Sequence, residues 1–79
     1  MITKHQKYLI DIHLISSFNM YNGVIIPHEN FEKEIRKIKD LKLSENIPSD
    51  EVSEYIKQKL IKYKCSDTMI NKFFEWAVL

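Results

Sequence analysis

Apolar residues recur along this chain at helical spacing. Tyr8, Ile12 and Ile15 fall at i, i+4 and i+7, and Ile10, Leu14 and Phe18 at i, i+4 and i+8, while Lys4, Lys7 and Asp11 fill what remains. The two stripes predict a helix from about residue 4 to 18, apolar around much of its circumference as a central helix is. Ile10, Ile12 and Leu14 also alternate with Asp11 and His13 as a strand would, but Thr3 followed by Gln6 has the form of a capping box and favours the helix. Phe31, Ile35, Ile38 and Leu41 make a narrower stripe at i, i+4, i+7 and i+10, and so predict a second helix opened after Pro27. A third runs from about 50 to 64, with Val52, Ile56, Leu60 and Tyr63 inward and Lys57, Lys59, Lys62 and Lys64 outward. A fourth, from about 67 to 78, carries two stripes: Met69, Phe73 and Trp76 on one, Ile70, Phe74 and Ala77 on the other.

The helix starts share a grammar. Ile26-Pro27-His28-Glu29 aligns with Ile47-Pro48-Ser49-Asp50, and Ser66-Asp67-Thr68-Met69 is a weaker third copy. Proline fixes the approach, a short polar residue such as Ser49 caps, and an acid meets the positive end of the helix. In the second helix Glu29, Glu32 and Glu34 crowd the start and Arg36, Lys37, Lys39 and Lys42 the end. Glu29–Lys33 and Glu32–Arg36 are spaced for i,i+4 pairing. Between the first two helices, Asn22-Gly23 suits a two-residue hairpin joining Phe18–Tyr21 to Val24–Pro27. An isolated ribbon is marginal and Pro27 cannot donate to a ladder, so the expectation is a turn followed by a short extended segment, Val24 to Ile26. The fold class expected is all-α: a compact bundle of about four helices in a single domain over 1–79, with that extended segment near 24–26.

Composition narrows the class further. A 79-residue chain buries only about 60% of the surface its unfolded form exposes, so a deep catalytic cleft would consume much of its core. One glycine and two prolines are too few for the turns of an all-β fold. The net charge of +1 is no electrostatic footprint for nucleic acid. Cys65 is alone, which rules out an internal disulfide and makes a reducing compartment the default. The N-terminal apolar run is broken by Asp11 and His13, too short and polar to span a bilayer. No membrane association and a cytoplasmic location are expected.

Candidate chemistry is sparse. If Gly23 is set at position 6 of a calcium loop, Ile25 and Glu29 fall correctly at positions 8 and 12, but positions 1 and 3 become Phe18 and Met20, which cannot ligate calcium. His5, His13, His28 and Cys65 have no metal-ligand spacing, and there is no glycine-rich phosphate loop or nucleophile elbow. No metal, no cofactor and no catalysis are expected. Helices three and four, joined by Cys65-Ser66, have the outline of a helix-turn-helix that would place Lys57, Lys59 and Lys64 near phosphates and Asn71 near base edges. Against it stand Asp67 and Glu75 on the recognition helix and the lack of a turn glycine. The favoured expectation is a small non-catalytic protein that acts by protein–protein interaction, such as a regulator, inhibitor, immunity factor or antitoxin-like partner. One stripe of helix four would suffice for a small bundle, so one of Phe74 and Trp76 is expected at an interface with another protein or a second copy of the chain, with Lys62 and Lys72 as a polar rim.

Overall fold

The computed structural model describes all 79 residues, in the order α1 (Lys4–Ser17), β1 (Phe18–Tyr21), β2 (Val24–Pro27), α2 (Phe31–Ser44), α3 (Ser49–Lys62) and α4 (Asp67–Trp76). The capping box forms as read: the Gln6 N–H donates to Thr3 Oγ1 at 3.1 Å and the Thr3 N–H to Gln6 Oε1 at 2.9 Å. Of the two stripes on α1, only one is core. Ile10 and Leu14 are buried, whereas Tyr8, Ile12 and Ile15 face outward, so α1 is a flank of the bundle and not its wrapped centre.

The chain is mostly helical, but it is not the all-α bundle that the pattern predicts. Phe18 leaves the helix with extended dihedrals, and residues 18–27 form an antiparallel hairpin in the register Phe18↔Pro27, Asn19↔Ile26, Met20↔Ile25 and Tyr21↔Val24. Asn22 and Gly23 supply the two positive φ angles, 51° and 77°, that a primed two-residue turn requires. The ribbon is not isolated, and this is why it persists. Its inner face puts Phe18 and Ile25 into the core cluster, with Met20 packed against it. Pro27 lies at the last position of its strand, and the next amide, His28 N–H, closes the ladder onto Ser17 O at 3.0 Å. Gly23 also has no room for a side chain: a Cβ there would lie 2.9 Å from the Lys64 carbonyl oxygen.

The proline-led starts diverge. Pro27 ends a strand and a turn intervenes before α2, so Glu29 lies outside the helix. Neither expected i,i+4 pair closes; Glu34 instead draws Lys37, 3.6 Å away. Pro48 is itself the N-cap of α3, which begins at Ser49, so Ser49 is not the cap the sequence suggests. Its hydroxyl accepts from Lys42 Nζ at 3.0 Å. The third copy behaves as read, with Ser66 Oγ accepting from the Met69 N–H at 3.2 Å. Helices α2 and α3 end alike, on left-handed Asn46 (φ 54°) and Lys64 (φ 65°). The following amides reach back five positions, Ile47 N–H to Lys42 O at 2.9 Å and Cys65 N–H to Leu60 O at 3.1 Å, the closure of a Schellman motif. Between these ends Phe31, Ile35 and Ile38 of α2, Val52, Ile56 and Leu60 of α3, and Ile70 and Phe73 of α4 meet in one core.

Candidate functional site

Aromatic side chains link the core to the surface. Phe73, fully buried, lies edge-on to Phe18 and stacked on Phe31, with ring centres 5.8 Å away in each case. Phe74 meets Phe73 edge-on at 5.3 Å. Trp76, in the last turn of α4, stands perpendicular to Phe31 at 6.3 Å and is 45% exposed. Of the two residues singled out on helix four, Phe74 is half-buried against the core and Trp76 reaches solvent.

Trp76 separates two surface depressions. The first, about 200 Å³, is lined by Glu32, Ile35, Arg36 and Lys39 of α2. The second, about 390 Å³, is lined by Pro27, His28, Glu29, Phe31 and Glu32. Arg36 and Lys39 thus lie to one side of the indole and Glu29 to the other, with Glu32 shared, and none of the four is held in an ion pair within the chain. A large amphipathic ring between unpaired charges of both signs is suited to an apolar anchor flanked by charged groups. Lys72 precedes Trp76 by one turn, on the same exposed side of α4. Lys62 is exposed near the end of α3, and no hydrogen bond or ion pair ties it to this site. The rim around Trp76 comes instead from α2 and the β2–α2 turn. That juxtaposition is tertiary, and no spacing within the chain signals it.

The basic residues considered for nucleic acid do not share a face. Lys57 lies on one flank of α3, whereas Lys59, two residues on, points about 200° away from it. Lys59 turns toward α1, with its ammonium 3.3 Å from Asp11 Oδ2 and 5.7 Å from the centre of the Tyr55 ring. Asp11 also accepts from the Tyr55 hydroxyl at 2.7 Å, and burial and that contact push the phenol well above its ordinary range. Lys64 is in the α3–α4 turn against Gly23, and that turn spans Tyr63–Ser66, longer than the two residues expected. Asn71 is exposed on α4.

One other polar pair stands out. His13 Nδ1 lies 2.7 Å from Glu34 Oε2, linking α1 to α2. That hydrogen bond, aided by Lys37, holds the Glu34 carboxyl below its ordinary value against the opposing effect of burial. The Glu34 side chain is largely covered. A histidine oriented by a carboxylate is half of a nucleophile-activating array. No hydroxyl or thiol hydrogen-bonds to His13; Ser17 Oγ donates to Leu14 O at 2.6 Å, and the Cys65 thiol, pushed up by burial, lies 4.0 Å from Met20 sulfur. No three of the His, Cys, Asp and Glu side chains converge as metal ligands. No helix is long and apolar enough to cross a membrane.

The chain matches no protein-family model, no curated protein and no solved structure.

Proposed function

We propose that this is a small non-catalytic protein that acts by binding another protein, as a regulator, inhibitor, immunity factor or antitoxin-like partner, with Trp76 as the anchor. One observation carries the reading: the aromatic chain of the core ends in a half-exposed tryptophan with a depression on each side and unpaired Glu29, Glu32, Arg36 and Lys39 around it. Tryptophan is enriched among residues that dominate binding energy, and charges of both signs at the rim select orientation and partner more than they add affinity. Lys72 extends that rim along α4, and Phe74 packs edge-on against Phe73.

The test uses the full chain as bait in a lysate of its own host. Wild type is expected to retain a discrete partner that Trp76→Ala loses, while the variant keeps its circular dichroism spectrum. Arg36→Glu should weaken capture and change its salt dependence. Equal capture by wild type and Trp76→Ala overturns the anchor assignment. Micromolar binding to random duplex DNA that falls steeply with salt would overturn the protein-binding reading in favour of a nucleic-acid one.

A further inference from the structure

We propose that the chain forms a two-fold symmetric homodimer through an apolar band that runs along the outer face of α1 and across the outer face of the β1–β2 hairpin. The band can be traced side chain by side chain. Tyr8, Ile12 and Ile15 succeed one another on the outward side of α1. Ile15 and Asn19 line one cleft of about 320 Å³ together with Phe18, Met20 and Tyr63. Asn19 pairs across the hairpin with Ile26, and the next pair on that face is Tyr21 with Val24. Tyr8, Ile12, Ile15, Tyr21, Val24 and Ile26 are each between 40% and 69% exposed.

The extent of the band approaches what a dimer uses. These six side chains leave on the order of 600 Å² uncovered, the upper end of the largest apolar patch on a typical monomer. With their polar flanks they approach the roughly 800 Å² each partner contributes to a standard-size interface. The sequence carries a second, independent mark. From Ile12 to His28 there is no Asp, Glu, Lys or Arg, in a chain of which these make up 29%. Depletion of formal charge is the compositional signal of an interface core. The sheet also has only two strands, so each presents an unpaired edge, and no charged residue in either strand guards it.

Several features indicate a second copy as the occupant. In a two-fold interface each patch meets its own image, where formal charges repel and an uncharged band does not. The polar groups within the band are the hydroxyls of Tyr8 and Tyr21 and the amide of Asn19, each of which both donates and accepts, so each can pair with its own kind. A net charge of +1 adds little long-range repulsion between copies. The dimer face is distinct from the Trp76 site and does not depend on it.

Sedimentation equilibrium of the full chain from micromolar to several hundred micromolar is expected to show a concentration-dependent mass rising from 9.5 kDa to twice that value. Ile15→Lys combined with Ile26→Lys enters a two-fold interface four times and should weaken association by about a hundredfold or more. Both side chains are exposed, so the circular dichroism spectrum should not change. Dilution of isotope-labelled wild type gives an independent reading that needs no variant: amide shifts should move within residues 8–26 and stay fixed in α2, α3 and α4. Trp76→Ala should dimerise as wild type does. A chain monomeric at every concentration overturns the proposal. So does a folded double variant that dimerises normally, a dimer abolished by Trp76→Ala, or dilution shifts confined to α2–α4.

Discussion

Phe73→Ala and Trp76→Ala, compared in the same assay, separate core from surface within one helical stripe. Phe73 has no exposed surface and packs against the rings of Phe18, Phe31 and Phe74. Truncating a fully buried phenylalanine costs about 3–5 kcal/mol. A chain of 79 residues has something like 4–12 kcal/mol of stability in total, so this single change removes a large share of it. Trp76 buries little more than half of its surface and has one aromatic neighbour, Phe31. Scaling the same truncation cost by buried fraction gives about 1.5–3 kcal/mol. At roughly 4–8 °C per kcal/mol for a domain of this size, the melting temperature should fall nearly twice as far for Phe73→Ala as for Trp76→Ala. Urea titration followed by far-ultraviolet circular dichroism, which does not rely on the indole as probe, gives the free energies directly. Equal losses would mean that Trp76 is as much a core residue as Phe73, and its role as a binding anchor would lose its support.

Other substitutions test the helix ends and the turn. Ser66→Ala should cost about 0.5–2 kcal/mol by removing the cap on Met69 N–H, whereas Ser49→Ala, which removes only a surface contact with Lys42, should stay within about 0.5 kcal/mol; thermal melts showing the reverse order would contradict the assigned start of α3. Lys64→Gly should raise stability by about 0.5–1 kcal/mol because a lysine there is held at φ 65°, and Gly23→Ala should lower it by more than that, since the turn needs φ 77° and the added methyl would meet the Lys64 carbonyl. Glu34 has a folded-state value below the ordinary 4.5, so its contribution is present above that value and is lost as pH falls through the lowered one. Glu34→Gln should therefore flatten the acid limb of the stability–pH curve, and a curve parallel to wild type would remove the His13–Glu34 hydrogen bond from the account.

What could be read from the chain was local. The capping box at Thr3 and Gln6, the Ser66 cap, and the inward rows Phe31–Ile35–Ile38 and Val52–Ile56–Leu60 depend on neighbours within a turn or two, and the structure has them where the spacing puts them. What failed depends on contacts between elements. The hairpin was legible in Asn22-Gly23, but its persistence rests on Phe18 and Ile25 reaching a core built by residues far along the chain. Pro27 and Pro48 sit in matching sequence, yet one ends a strand and the other caps a helix, because only the first is preceded by a partner strand. Which stripe of α1 turns inward is likewise decided by α2 and α3. Spacing alone puts Lys59 with the solvated lysines of α3, and only the approach of Asp11 draws it back. Two of these six site residues, Trp76 and Lys72, are visible in the sequence; Arg36, Lys39, Glu29 and Glu32 join them through the packing of α4 against α2.

Trp76 and its flanking depressions are proposed to hold a protein partner. The most direct measurement places a photo-reactive aromatic amino acid, which keeps an apolar ring at the anchor, at position 76 of the full chain in host cells, with position 57 on α3 as an exposed control. Illumination should give one discrete protein adduct from position 76 and none from position 57, and the adduct should disappear when unlabelled wild type is in excess. No adduct from position 76, or the same adducts from both positions, would contradict the account.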